Sequence, residues 1–257
     1  MLDTLEQRLN DFDPEVRREA LHMLATRLDA PAPTGLFNLH VHSFFSYNVF
    51  GWSPSRIAWE AYRRGWFAVG MCDFDVLDGR EEFLDACVLL GLRGLVNLET
   101  RTFFDLFADT EIDSPGEPGV SYVLGAGFAH AVPQDTPEDL LLERLRTMAA
   151  GRNRALTDRI NGSVPEIAID YDADVLPRTP SGTPTERHIV AAYIDKSAER
   201  FPDLPRRRGF WALTLELSTE KTDALMQQRP VFENAVRNRF AKRGGLGYIQ
   251  PTAESFP

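Results

Sequence analysis

The chain has 257 residues, of which 43% are hydrophobic and 26% are charged, and its formal net charge is −10. Aromatic residues make up 11% of the sequence, and this supply of apolar surface excludes a mainly disordered chain. The acidic balance argues against nucleic acid as a partner, and no apolar run approaches the roughly 18 residues that span a bilayer.

Two further features bear on the cellular location. The first six residues, MLDTLE, contain neither the basic nor the apolar stretch of a secretory signal. The two cysteines, Cys72 and Cys87, lie among apolar residues and form no C-x-x-C motif, so we expect two buried free thiols. These features predict a cytoplasmic protein with no membrane contact.

The first predicted element is a helix that begins after Asp13, with Pro14 in its first turn. Apolar residues then recur on one helical face, at Val16, Ala20, Leu21 and Leu24. The sequence D-P-E-V-R-x-x-A-L is similar to one helix of a HEAT repeat. Because a single repeat cannot form a solenoid, we predict a helical extension over residues 1–34 that offers a surface to a protein partner.

Strands and helices alternate in the next hundred residues. Strands are predicted at residues 36–42, 67–71, 94–98 and 121–125. One helix is predicted to begin at Ser53 and Pro54, and another to lie around residues 81–90. This order is typical of βα units and a parallel sheet, so the expected fold class is α/β. Such sheets carry their chemistry at the carboxyl ends of the strands.

The sequence after Pro133 has a helical pattern. Helices are predicted from Thr136 to about residue 161 and at residues 185–196, 219–228 and 231–243. The basic run at residues 206–208 could contact a polyanion, but we interpret it as a solvated loop.

Polar residues follow three of the predicted strands. His40 and His42 are two residues apart, so both imidazoles point to one face, where they suit a divalent metal ion or bond to backbone and water. Asp73 follows the second strand, and three roles are open to it: metal ligand, general base or helix cap. Glu99 follows the third strand, and it must pair with a metal ion or with Arg101 because an unpaired buried charge is costly.

Taken in order, these segments resemble the PHP (polymerase and histidinol phosphatase) family. N-L-H-V-H-S, C-D-F-D and N-L-E are similar to the family motifs D-L-H-x-H-S/T, T-D-H-D and G-x-E. The segments T-E-R-H-I-V-A-A and G-G-L-G-Y-I-Q-P are similar to two later ones, R-P-H-I-A-x-A-L and G-x-x-A-Y-V-P. The resemblance implies a distorted (β/α)7 TIM-like barrel that binds up to three metal ions and hydrolyses phosphoesters.

The resemblance also implies a domain organisation. The helical extension over residues 1–34 precedes the first βα units of the barrel at 35–134. A helical insertion subdomain follows at 135–245, and residues 246–257 return toward the barrel. The late H-P and D-x-H motifs of the family have no counterpart, so we expect a barrel that is incomplete at its C-terminal end.

The resemblance, with the hydrolytic mechanism that it implies, assigns roles to seven residues. The implied metal ligands are His40, His42, Glu99 and His188. Asp73 would lie near the metal and orient a water molecule. Arg101 and Arg187 would neutralise the charge that develops on a phosphate.

Two departures from the family pattern limit the number of metal ions. Phe74 and Tyr122 stand where the family has metal-binding histidines, and neither side chain replaces imidazole as a ligand. We therefore expect fewer than three divalent ions, Zn²⁺ or Mn²⁺. The predicted function is a metal-dependent hydrolase, a PHP-type phosphoesterase with a one- or two-metal site and a small phosphorylated substrate. The alternatives are an inactive PHP scaffold that serves as a binding or regulatory module, and a nuclease or polymerase-associated module, which the negative charge disfavours.

Overall fold

The computed structural model describes residues 2–27 and 31–256, so residues 1 and 28–30 of the predicted helical extension lie outside the described chain. The described chain divides into two units, each with its own hydrophobic core. The first unit contains Met1–Thr102, Ser121–Arg146 and Thr179–Thr183, and the second contains Phe103–Val120, Thr147–Arg178 and Pro184–Pro257.

A four-stranded sheet forms the centre of the first unit. Its strands lie in chain order: β1 (Phe37–Val41), β2 (Ala68–Phe74), β3 (Arg93–Phe103) and β4 (Val120–Ala126). β2 pairs in parallel with β1 on one side and with β3 on the other. The expected α/β class is confirmed, as a mixed fold whose sheet curls into a half-barrel.

Helices connect the first three strands and precede them. They are α1 (Leu2–Arg8), α2 (Pro14–Ala25), α3 (Pro54–Arg63) and α4 (Arg80–Leu90). Asp13 caps α2 by accepting from the backbone N–H of Glu15, and Ser53 caps α3 by accepting from that of Arg56. Gly91, at a φ of +66°, ends α4 in the left-handed conformation that glycine adopts without strain.

The N-terminal helices belong to the core of the first unit. Leu9 and Leu24 are fully buried in the same cluster as Trp59 of α3. The buried guanidinium of Arg17 forms a two-pronged ion pair with Glu82 of α4, whose Oε1 lies 2.9 Å from Arg17 Nε. The helical extension therefore packs on α3 and α4 through apolar contacts and a fixed charge pair.

Both cysteines are buried free thiols, as predicted.

Gly70 allows β1 to approach β2, and its replacement gives a first testable prediction. A Cβ at this position would lie 2.5 Å from the carbonyl oxygen of Leu39 and 2.7 Å from its Cα. Because backbone atoms cannot move aside as a flexible side chain can, Gly70→Ala must displace β1. We expect the free energy of unfolding to fall by at least about 1 kcal/mol in urea denaturation.

The control for this prediction is Gly151→Ala. Gly151 is a helical glycine whose added Cβ would meet nothing within 4 Å. Alanine has a higher helix propensity than glycine, so the free energy of unfolding of this variant should rise by up to about 1 kcal/mol. Equal losses in the two variants would contradict the close approach at Gly70.

The remaining helices follow β4. They are α5 (Pro137–Ser163), α6 (Glu186–Arg200), α7 (Leu204–Leu215), α8 (Thr219–Met226) and α9 (Arg229–Ala241). The large buried side chains of the second unit include Tyr193, Trp211 and Phe240, and the ring of Phe240 contacts the other two. No helix among residues 2–27 and 31–256 has the length and apolar character needed to cross a membrane.

The interpretation of residues 206–208 as a solvated loop is wrong. These arginines lie in the first half of α7. Asp203 caps this helix by accepting from the backbone N–H of Arg206, and Pro205 lies in its first turn, where proline is well tolerated. The arginines are exposed or half-buried, while Trp211 further along the helix is fully buried.

Candidate metal centre

Three metal-ligand side chains meet in the first unit. His40 lies in β1, His42 follows it, and Glu99 lies in β3. The Oε2 atom of Glu99 is 3.3 Å from Nε2 of His40 and 3.2 Å from Nε2 of His42. One ligand atom of each residue lies within 4.8 Å of the others. The spacing of two residues in β1 therefore brings both imidazoles to the same carboxylate.

Glu99 occupies a different place in its strand from the one predicted. The sequence predicted the end of the third strand at residue 98, whereas β3 continues to Phe103. Glu99 pairs with Phe74, the last residue of β2, so it lies level with the carboxyl end of that neighbouring strand. The strand register thus aligns Glu99 with the histidines although β3 does not end there.

The chemistry and spacing of the three groups fit a divalent ion. Two imidazole nitrogens and a carboxylate oxygen form a ligand set that Zn²⁺ and Mn²⁺ accept. Ligand atoms at about 2.0–2.1 Å from one tetrahedral ion lie about 3.3 Å apart. The two N–O distances of 3.2 and 3.3 Å match that separation. We conclude that His40, His42 and Glu99 fit one ion.

The site is open to solvent on the histidine side and more enclosed at the carboxylate. The side chain of His40 is 44% exposed and that of Glu99 is 13% exposed. The hydrogen bond with His42 holds the pKa of Glu99 below its ordinary value, although burial acts in the opposite direction. Glu99 is therefore ionised at neutral pH and supplies negative charge to a cation.

Asp73 forms a buried network beside this cluster. Its Oδ1 accepts from the backbone N–H of Ser43 and from Oγ of Ser46, each at 2.7 Å, and its Oδ2 accepts from Oγ of Ser43 at 2.6 Å. Burial raises the pKa of Asp73, and the hydrogen bonds from the two serines oppose this effect. Ser46 also lies 3.2 Å from Nδ1 of His42, so the network reaches a candidate ligand.

Aromatic side chains and a cation lie near the cluster. The rings of Phe74 and Tyr122 meet edge to face at 6.4 Å, and the guanidinium of Arg101 is 6.0 Å from the centre of the Phe74 ring. The two positions where the resemblance would place histidines thus form an apolar contact.

His188 and Arg187 lie in the second unit, in the first turn of α6. His188 is buried, and its Nδ1 accepts from the backbone N–H of Thr185 at 3.0 Å in a capping box. Arg187 donates to the side-chain oxygen of Asn234 at 3.1 Å. The role of His188 as a ligand and that of Arg187 as a phosphate contact stay predictions.

Sequence reasoning gave no role to Ser43 and Ser46. A signal was present, since a buried aspartate at a strand end needs donors and two serines follow His42 within four residues. The capping box at Thr185 was also missed, because histidine stands where glutamate or glutamine usually completes that motif.

No protein-family model and no curated protein matches the chain. Solved structures similar to the chain include two that are described as hydrolases. One is a protein from Bifidobacterium adolescentis provisionally described as a metal-dependent phosphoesterase, with 20% identity, a TM-score of 0.49, and coverage of 68% of this chain and 56% of that one. The other is an amidohydrolase from Chromobacterium violaceum with bound sulfate and no metal, with 16% identity, a TM-score of 0.54, and coverage of 84% and 58%.

The chain spans less than two thirds of either structure. At 16% identity the likeness to the amidohydrolase concerns the fold, and it agrees with the α/β half-barrel described above.

Proposed function

We propose that this chain is a metal-dependent hydrolase, specifically a PHP-type phosphoesterase with a one- or two-metal site at His40, His42 and Glu99. The observation that carries the proposal is the approach of both Nε2 atoms to one oxygen of Glu99, at 3.2 and 3.3 Å. The proposal includes the finer architecture of a distorted (β/α)7 barrel, of which β1–β4 are the first strands. It also includes a small phosphorylated substrate and a cytoplasmic location.

Each residue of the cluster has a distinct task in this proposal. His40, His42 and Glu99 would hold a divalent ion, which would supply acidity to a water molecule and polarise a phosphoryl oxygen. The two imidazoles present nitrogen atoms as ligands, and the ionised Glu99 balances positive charge. Arg101, near the Phe74 ring, offers guanidinium donors that match the oxygens of a phosphate.

Metal content gives the direct test of this site. We expect purified protein, loaded with Zn²⁺ or Mn²⁺ and dialysed, to retain one or two ions per chain in elemental analysis. Three retained ions would contradict the ligand count, because Phe74 has no ligand atom and the phenol of Tyr122 is a poor replacement for an imidazole at neutral pH. Retention of none would contradict the proposed function and favour the inactive scaffold.

Activity is tested on a simple phosphomonoester, p-nitrophenyl phosphate. The metal-loaded protein should release p-nitrophenol, and treatment with a chelator should abolish the release. Adding Zn²⁺ or Mn²⁺ back should restore it. Hydrolysis that persists at an unchanged rate in excess chelator would show that the His40 cluster is not the origin of the activity.

A further inference from the structure

We propose that Asn38 and Asn97 are positioning residues for the metal centre. Together they hold the peptide group between Leu39 and His40, and this peptide sets the direction in which the His40 imidazole points. The inference deepens the proposed function, on which its consequence for metal affinity rests. The placement of the peptide itself is a property of the chain without metal.

The held peptide lies at an irregularity in the pairing of β1 with β2. In the register of these strands, β1 has two residues, Leu39 and His40, where β2 has only Gly70. An extra residue of this kind forms a β-bulge, which interrupts the ladder of backbone hydrogen bonds and changes the direction of nearby side chains. The bulge thus includes His40, one of the three candidate ligands.

Asn97 binds the carbonyl of this peptide from the third strand. Its Nδ2 donates to the backbone oxygen of Leu39 at 2.8 Å, and its side chain crosses β2, which lies between β1 and β3. Gly70 leaves the space for this contact, because a Cβ there would lie 2.5 Å from the same oxygen. Asn97 is 5% exposed, and its Oδ1 has no hydrogen-bond partner in the described part of the chain. The hydrogen bond to Leu39 is therefore the one that orients this buried amide.

Asn38 binds the N–H group of the same peptide. Its Oδ1 accepts from the backbone N–H of His40 at 3.0 Å. The N–H and C=O groups of a strand are ordinarily bound by the neighbouring strand. Because side-chain amides bind both groups of this peptide, its orientation depends on Asn38 and Asn97.

Asn97 also connects the two strands that carry His40 and Glu99. It lies two residues before Glu99 in β3, so both side chains point to the same face of that strand. Its partner Leu39 directly precedes His40, whose Nε2 is 3.3 Å from Oε2 of Glu99. Loss of the Asn97 contact should let the imidazole move relative to the carboxylate. A ligand pair that is held less precisely binds a cation more weakly.

The first test measures Zn²⁺ affinity by competition with a chromogenic chelator. Asn97→Leu removes the amide donor, and Asn38→Ala removes the acceptor. We expect each to bind Zn²⁺ at least about tenfold more weakly than the wild type. Asn38→Asp retains an oxygen acceptor and should lose no affinity. Asn38 is exposed, so its two variants decide the proposal even if Asn97→Leu does not fold.

The matched control for Asn97→Leu is Asn153→Leu. Asn153 is 8% exposed, and its Nδ2 donates to the backbone oxygen of Pro184 at 2.6 Å, but both residues belong to the second unit. This variant should bind Zn²⁺ within about twofold of the wild type. Wild-type affinity in folded Asn97→Leu or in Asn38→Ala would overturn the proposal, as would an equal loss in Asn153→Leu or Asn38→Asp.

The second test follows the peptide in the absence of metal, by amide hydrogen exchange measured with NMR. The His40 amide should exchange at least about tenfold faster in Asn38→Ala than in the wild type, whereas the Val96 amide of β3 should change by less than about twofold. An unchanged rate at His40, or equal acceleration of both amides through a general loss of stability, would overturn the proposal. Failure of the wild type to bind Zn²⁺ would instead overturn the proposed function, and the exchange of the His40 amide would still decide whether the asparagines hold the peptide.

Discussion

Glu99→Gln is expected to lower both phosphoester hydrolysis and Zn²⁺ affinity by at least about 100-fold, because losing a ligand should exceed the 10- to 100-fold effect of losing a supporting residue. Glutamine has nearly the same shape as glutamate but no negative charge. The change therefore removes the negative charge that lies within 3.3 Å of both Nε2 atoms. It preserves the packing around the half-buried side chain. Hydrolysis at saturating Zn²⁺ and a Zn²⁺ binding isotherm measure the two effects.

Matched variants distinguish a loss of the metal site from general damage to the fold. Glu81→Gln changes an exposed glutamate of α4 in the same unit and should alter hydrolysis by less than about twofold. His40→Ala should lower hydrolysis as strongly as Glu99→Gln, whereas His22→Ala, at an exposed position of α2, should not. Wild-type Zn²⁺ affinity in Glu99→Gln would contradict the assignment of the centre.

Much of the fold of the first unit follows from local sequence patterns. Ser53 and Pro54 predict the start of α3, and the apolar runs predict β1, β2 and β4 to within a few residues. The same patterns place His40 and His42 on one side of β1. Local patterns suffice there because capping, proline and the two-residue period of strands act over only a few residues.

The parts that the sequence did not predict depend on neighbours distant in the chain. The length of β3 beyond residue 98 is set by pairing within the sheet, and no local signal marks its end. α7 was missed because three consecutive arginines indicate solvation, while the packing of Trp211 stabilises the helix. The contact between Ser46 and Asp73 joins residues 27 positions apart and requires the tertiary fold.

His188 is expected to make the protein markedly less stable as the pH falls below 6.5. Burial, followed by repulsion from Arg178, lowers the pKa of His188 from 6.5 to about 3. The folded protein therefore keeps the imidazole neutral, whereas the unfolded chain binds a proton below pH 6.5. The contribution of the neutral His188 to the free energy of unfolding is therefore fully present above pH 6.5. It is lost progressively toward pH 3, by about 1.4 kcal/mol per pH unit.

Replacement of His188 by glutamine tests this loss, because glutamine stays neutral and its carbonyl oxygen can accept the same hydrogen bond from Thr185 in the capping box. Urea unfolding measures the free energy of unfolding at pH 7.5 and at pH 5.0. Between these two pH values the wild type should lose about 2 kcal/mol more of it than His188→Gln does. Carboxylates that titrate in acid contribute equally to both proteins, so the difference isolates His188. His22→Gln, at an exposed histidine, should retain the pH dependence of the wild type. Parallel losses in His188→Gln and the wild type would mean that the imidazole takes up its proton in the folded state, and thus that the first turn of α6 opens to admit water.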